Sequence, residues 1–465
     1  MRFISTRGEA PDVGFIDALM AGVAPDGGLY TPKAWPALSA DEIAAFSGAS
    51  YAAVAADILG RFAGDEIAPA VMRDLCEKAY AGFTHPAVAP LRQLAPGRFL
   101  LELFHGPTLA FKDLAMQVLA RLYDHALAAR GQAMTIVCAT SGDTGGAAVE
   151  AFGGRPKVRL VVLFPEGRIS EIQRRFMTTA AHDNVRAVAV AGDFDDCQGL
   201  LKTLFADASF AAAVNLTAVN SINIARIAAQ CVYYFTAAAA LGAPARPVAF
   251  AIPTGHFGDA FAGGAARRMG LPIERLTAAT NANDIVARAL ETGVYARGSA
   301  RATQSPAMDI QVASNFERLY FECAGRDGSA TADAFRGFTA SGRLDIPPTV
   351  HAAMREAFDG VSVSEAQTAE AIAAALNQTG ELIDPHTAIA LAGADLAPSG
   401  RSATPLIVLS TAHPAKFADA VGAAAGVIPA LPRAARGLAD RAERFDRLPA
   451  DLEAVKAYVR AFALP

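Results

Sequence analysis

Lys112 is the side chain around which chemistry can be arranged in this sequence. It lies in the stretch LELFHGPTLAFKDLAMQ, residues 101–117. There an apolar, strand-like run through Leu101, Leu103 and Phe104 is broken by His105, Gly106 and Pro107. Leu114, Val118 and Leu122 then recur at helical spacing, which predicts a helix to about Arg130. A lysine beside Phe111, just after a glycine-proline turn, is placed for partial desolvation. Desolvation lowers a lysine's pKa, and a neutral amine attacks a carbonyl to form a Schiff base. A lysine at a helix start is ordinarily solvated, and Asp113 reads as an ordinary first-turn acid. The rest of the chain must supply the partners that change this.

Two turns suit an anion. Each follows an apolar strand, contains small residues and opens a helix, so backbone N–H groups at the helix start face outward with partial positive charge. The first runs through Thr140, Ser141, Gly142, Asp143 and Thr144 to Gly146 and adds hydroxyls. The second, Pro253 to Asp259, holds Thr254, Gly255, His256, Phe257 and Gly258. Neither carries the GK[ST] of a P-loop or a GxGxxG dinucleotide fingerprint, and each alone is what a tightly packed strand–helix turn also looks like. A third strand, Leu406 to Ser410, delivers the hydroxyl of Thr411 to the same kind of sheet edge. Hydroxyls there commonly cap the next helix, and His413 and Lys416 read as ordinary surface residues.

One activatable lysine, two backbone cradles and a strand-end hydroxyl match a cofactor with an aldehyde, a phosphate and a pyridine ring, which describes pyridoxal phosphate (PLP). The histidines lie far apart with no HExxH spacing, so no metal is expected, and the GxSxG of a serine hydrolase is absent from Thr140–Gly142.

The elements that must position these groups are legible as a pattern. Strands at Met134–Thr140, Arg159–Phe164, Arg186–Val190, Val248–Ile252, Leu276–Thr280 and Leu406–Ser410 alternate with helices. The predicted helices include Ala147–Phe152, one started by Asp195 or Asp196, Ser221–Ala240 and Ala260–Met269. Such alternation implies an α/β fold with parallel sheets covered on both faces, and ligands bind at the carboxyl ends of such strands. Residues 1 to about 90 read as a small, mostly helical unit. It has helices at 52–62 and 68–80, a short one capped by Asp41, and a plain surface turn at Ser5–Gly8. Residues 300–380 read as peripheral elaboration.

The 465 residues carry a formal charge of -5 and no basic stripe, which argues against a nucleic-acid partner. Mean hydropathy is +0.26, driven by alanine, and the apolar runs are too short and charge-interrupted to span a bilayer. Five scattered cysteines read as free thiols in a reducing compartment, and the amino terminus lacks a signal-peptide core. A cytoplasmic protein is expected.

HGPTLAFKD, ATSGDTG, PTGHFGD and STAHPAKF, in this order, resemble the bacterial and fungal threonine synthases. STRG, APDGGLY, NSINIAR and DPHTA extend the resemblance to nearly the whole chain. It implies PLP fold type II, the tryptophan synthase β-chain fold. The division implied is an amino-terminal region at 1–95, a large PLP domain from 96–130 and 206–465, and a small domain at 131–205. By the same resemblance Lys112 is the Schiff-base lysine, and Gly255, His256, Phe257, Gly258 and Asp259 form the cofactor phosphate loop. Thr411 meets the pyridine nitrogen. Thr140, Ser141, Gly142, Asp143 and Thr144 hold the substrate, O-phospho-L-homoserine, with Asn220, Ser221, Asn223 and Arg226 nearby. Conversion to L-threonine and phosphate, by a monomer or homodimer, is the implied activity. The alternatives are a phospho-lyase releasing 2-oxobutyrate and a non-catalytic binder of phosphate or a metabolite. His256 departs from the family's usual asparagine, and a protonated ring there would add a cationic contact to phosphate.

Overall fold

The computed structural model describes residues 1–398 and 403–463. The apolar runs noted above become the strands of two sheets. The larger has six strands in the order Phe358–Ser362, Ile273–Thr280, Val248–Pro253, Leu406–Ser410, Arg98–Glu102 and Leu91–Ala95. All neighbours are parallel except the last pair, where Leu91–Ala95 runs antiparallel at the edge. The smaller sheet has five parallel strands in the order Asp446–Pro449, Val185–Ala191, Val158–Pro165, Met134–Ala139 and Leu216–Thr217. Inner strands such as Val248–Pro253 and Val158–Pro165 are buried almost throughout, as helix-covered parallel sheets require.

The helix Lys112–Arg130 packs against Pro69–Tyr80, Asp143–Phe152 and Ile224–Ala240, and so joins the amino-terminal region to helices of both sheet layers. Leu114, Val118 and Leu122 are fully buried, and Gly131 ends the helix in the left-handed conformation at φ 64°. Among the described residues no helix is long and apolar enough to cross a membrane, and all five cysteines are free thiols.

Several starts differ from the sequence reading because polar side chains cap earlier or later than periodicity suggests. Ser39, not Asp41, caps its helix in a capping box with Glu42, and Asp193, not Asp195 or Asp196, does so with Asp196. The helix after the first anion loop begins at Asp143 rather than Ala147, and Asn223 caps one that begins at Ile224. The amino-terminal region, read as mostly helical, also contains an antiparallel pair of strands, Phe3–Ser5 with Tyr30–Pro32. The turn at Ser5–Gly8 is not a plain surface turn. Thr6 is buried and donates to Glu317 at 2.7 Å, and Arg7 pairs with the same carboxylate at 2.9 Å.

Strand membership also departs from the division drawn from the sequence. Asp446–Pro449 and Leu216–Thr217 belong to the smaller sheet, and Leu91–Ala95 belongs to the larger. Residues 300–380 are not peripheral: Phe358–Ser362 forms an edge of the larger sheet, and residues 307–315 wrap the second anion loop.

Candidate functional site

Lys112 is the first residue of its helix, and the turn before it is built by Asp113. That carboxylate is fully buried and accepts the Thr108 N–H at 2.8 Å and the Thr108 hydroxyl at 2.7 Å. Burial pushes its pKa up to about 6. Asp113 is therefore not an ordinary first-turn acid: it folds the HGPT turn back on the helix start. The turn is locked from the other side by the end of strand Leu406–Ser410. The Phe111 N–H donates to the Thr411 carbonyl at 2.8 Å, and the His413 N–H donates to the Leu109 carbonyl at 3.1 Å. Thr411 thus lies beside the lysine.

The Lys112 side chain is 13% exposed, with its ammonium 4.6 Å from the Phe111 ring centre and 3.4 Å from Asp143 Oδ2. Burial lowers its pKa, helped by the charges of Lys416 and Arg226 and opposed by Asp143. Asp143 has a second cation. Lys416 Nζ lies 2.6 Å from Asp143 Oδ1 and also donates to the Thr108 carbonyl at 2.9 Å. Gln173 donates to Asp143 Oδ1 at 3.0 Å. Burial alone would raise this carboxyl, but Lys416 and Lys112 hold it well below the usual carboxylate range. Lys416 is buried, against its reading as a surface residue, because Asp143 neutralises it. His413 is half-buried, accepts the Ala415 N–H, and is pushed down to about 4, by burial first and the nearby His105 second.

In the first anion loop the Thr140 hydroxyl accepts from the N–H groups of Gly142 and Gly145 at 2.9 and 3.0 Å. Gly142 sits at φ 132° with the Gln173 side chain where a Cβ would stand. Among the described residues, the N–H groups of Ser141, Asp143 and Thr144 have no acceptor.

The second loop is braced differently. Thr254 donates to Asp259 at 2.6 Å, and Asp259 also receives the Ala260 N–H. A Cβ on Gly255 would stand 3.0 Å from both Ile310 Cδ1 and Met308 Cα. Phe257 holds φ 62°, an unusual backbone for a bulky residue, wedged between Phe316 and Phe358. The His256 carbonyl accepts from the Asn315 N–H at 3.0 Å. Among the described residues, the N–H groups of Gly255, His256, Phe257 and Gly258 have no acceptor, so four successive amides point away from the fold's own acceptors. The His256 ring meets the Ser314 hydroxyl at 3.1 Å, and burial, with Lys112 and Arg226 nearby, pushes its pKa down to about 4. Its surroundings within the chain therefore favour the neutral ring at pH 7.

Arg226 is buried, and among the described residues its Nη1 donates to the Val219 carbonyl at 3.4 Å while its Nε has no partner. Burial lowers its pKa to about 10, and its charge is felt by both Lys112 and His256. Asn220 also has an unpaired buried Oδ1. Ser221 offers its carbonyl to Asn315 at 3.2 Å. Asn223 is spent elsewhere: it caps its helix and donates to the Leu19 carbonyl at 2.9 Å.

The structure thus gathers Lys112, Asp143, Arg226, His256 and Asp259 into one electrostatic neighbourhood, with Thr411 adjoining, and leaves Asn223 outside it. Sequence reasoning missed Lys416, Gln173, Thr108, Ser314 and Asn315. Only Lys416 had a usable signal, its place in STAHPAKF.

Three family models match the chain: threonine synthase N terminus over residues 2–80, pyridoxal-phosphate dependent enzyme over 88–340, and threonine synthase, C-terminal, over 387–459. The chain is 49% identical to a threonine synthase of Pseudomonas aeruginosa, across 99% of this chain and 98% of that one. It superposes on a PLP-bound threonine synthase from Brucella melitensis with a TM-score of 0.97 and 51% identity, covering both chains entirely. Against the yeast threonine synthase the TM-score is 0.93 at 35% identity, over 99% of this chain and 98% of that one.

Proposed function

The chain belongs to the threonine synthase family of PLP-dependent enzymes, and from that premise we propose that it converts O-phospho-L-homoserine and water to L-threonine and phosphate. The observation that carries the reading is the buried Lys112 amine, its pKa lowered, facing an Asp143 carboxylate that Lys416 anchors from the other side.

The residues fit the cofactor. Lys112 is a desolvated amine, and the four free amides of Gly255–Gly258 form a cradle in which a Cβ at Gly255 has no room. Thr411 supplies a hydroxyl next to the lysine's turn. Bound PLP supplies an aldehyde for amines and a conjugated ring that spreads negative charge away from a neighbouring carbon.

The chain's own groups account for the remainder. Lys112 Nζ takes a proton from the substrate's α-carbon and passes it on more readily than a solvated lysine, because burial favours its neutral form. Asp143 Oδ2, 3.4 Å away, steadies the ammonium that results, and Lys416 keeps Asp143 ionised and in place. The free N–H groups of Ser141, Asp143 and Thr144 receive an oxyanion of the substrate, and the unpaired Nε of Arg226 adds a cationic donor whose charge reaches Lys112. Phe111 and Phe176 line this centre with apolar surface and limit water.

The test is product analysis with purified, PLP-loaded protein and O-phosphohomoserine. Threonine and phosphate in equal amounts are expected. Release of 2-oxobutyrate, ammonia and phosphate would make the chain a lyase, and no turnover at all would make it a binding relative.

A further inference from the structure

Alongside the helix Lys112–Arg130 lies a cavity of about 490 Å³ whose lining does not include Lys112, Asp143, Arg226 or His256. Four parts of the chain wall it. Lys78 comes from the amino-terminal region, Arg121 from the lysine helix, Glu150 and Arg155 from the end of the next helix and its exit, and Arg441 from a carboxy-terminal strap, residues 433–445, that leads into the strand Asp446–Pro449. Four cations therefore face one carboxylate.

Their partners differ. Lys78 pairs with Asp74 and Arg155 with Asp124. Arg121 and Arg441 make no ion pair among the described residues. The Nη1 of Arg121 donates only to the carbonyl and Oε1 of Gln117, at 2.8 and 3.0 Å. Its side chain is partly buried, and burial together with the charge of Arg155 depresses its pKa. Elsewhere the fold gives partly buried arginines a carboxylate fork, as with Arg275 on Asp359 and Arg174 on Glu443. Two guanidinium groups that line one cavity and have no carboxylate partner among the described residues are the donor set that recognises planar or tetrahedral oxyanions. The cavity also reaches Pro107, in the turn before Lys112, and Phe176, whose ring lies 5.5 Å from Lys416 Nζ.

We propose that this cavity binds a small-molecule oxyanion carrying two or more negative charges, held by Arg121 and Arg441 and tying the lysine helix to the carboxy-terminal strap. Phosphate-bearing and polycarboxylate metabolites share this chemistry, so the test uses one probe of each. The PLP-loaded protein is titrated calorimetrically with pyrophosphate and, separately, with citrate. Arg121→Met is expected to weaken binding about tenfold or more, and Arg441→Ser several-fold, as loss of a charged hydrogen bond predicts. Neither should alter turnover in the absence of the probe. Binding of pyrophosphate alone assigns the phosphate class, and binding of citrate alone the polycarboxylate class. Failure of both probes, or affinities indifferent to both substitutions, overturns the proposal. Arg441 is exposed, so its variant keeps the test readable if Arg121→Met fails to fold.

Discussion

The two anion loops share a plan, strand then small residues then helix, yet the fold treats them in opposite ways. The loop at 253–259 is immobilised. Residues 307–315 press on Gly255 and hold the His256 carbonyl, and the strained Phe257 is wedged between two aromatic rings. Its side chains are turned inward: His256 is held neutral by burial, and the Asp259 carboxylate is taken up by the Thr254 hydroxyl and the Ala260 N–H. It offers only amides, in fixed positions. The loop at 140–146 is held by ions instead. Asp143 reaches out of the smaller sheet's layer to Lys416 and Lys112, which both belong to the larger sheet's layer. Neutral, rigid amides suit a resident phosphate. An ion-linked loop between two layers suits a group that must arrive, react and leave. Two loops alike in sequence therefore differ in function through what packs on them from elsewhere in the chain, residues 307–316 on one and Lys416 on the other.

The comparison can be broken at four points. Lys112→Ala removes the group both loops face. Turnover should fall by a factor on the order of 10³ or more, with the visible band of bound cofactor lost and the fold retained. Normal turnover would refute the assignment. Lys416→Met tests the ionic loop. It strips a buried carboxylate of one of two cations, which should cost about 3–5 kcal/mol in chemical unfolding. Lys112 then loses a repelling neighbour and has Asp143 to itself, so its pKa rises. The acid limb of the kcat/KM profile should move to higher pH, and an unmoved limb would detach Lys416 from the chemistry. The stability effect has a pH signature too. Asp143 is depressed in the folded state, so its contribution is full above about pH 4 and is lost as pH falls further. Lys416→Met should flatten that acid-side loss.

Gly255→Ala tests the rigid loop. Its Cβ meets backbone at Met308, so the cradle must shift, and PLP affinity should weaken roughly tenfold to a hundredfold, as overpacking costs of about 1–3 kcal/mol imply. Titration of the apoprotein with PLP reads it, and unchanged affinity would mean the loop yields. His256→Asn should do least. Both side chains are neutral across pH 5–8, because the histidine titrates at about 4. PLP affinity should change by less than about tenfold, with no new pH dependence in that range. A histidine-like inflection near pH 6.5 in the original chain would contradict the burial argument.

How much of this the sequence disclosed follows from the range of the forces involved. Lys112, both loops and the strand that brings Thr411 were legible, because apolar runs broken by small residues are local patterns. Lys416 and Asp113 were not. Charged residues are solvated by default, and what buries these two is a pair of contacts: one spans from residue 143 to residue 416, the other is a tight turn onto Thr108. The same holds for Thr6 and Arg7, whose partner Glu317 lies about 310 residues away. The strand Asp446–Pro449 is four residues long and ends in proline, too brief for an alternating pattern to register, and only its pairing with Val188–Ala191 reveals it. Residues 307–315 form no long element, so nothing periodic announces that they brace a loop.

The place of Leu406–Ser410 in the larger sheet bears on how the protein is made. That strand is inserted between Val248–Pro253 and Arg98–Glu102, and it also carries the turn that pins Thr411 to Phe111. During synthesis Arg98–Glu102 leaves the ribosome about 300 residues ahead of its neighbour, roughly 15–60 s at ordinary translation speeds. Through that interval the nascent chain carries an open, apolar strand edge with Lys112 close by and no Lys416. Such an edge is a template for pairing with other chains, so a chaperone that shields it should raise the yield of folded protein. The same delay means that an incomplete chain, stalled before residue 406, has no assembled reaction centre with which to act.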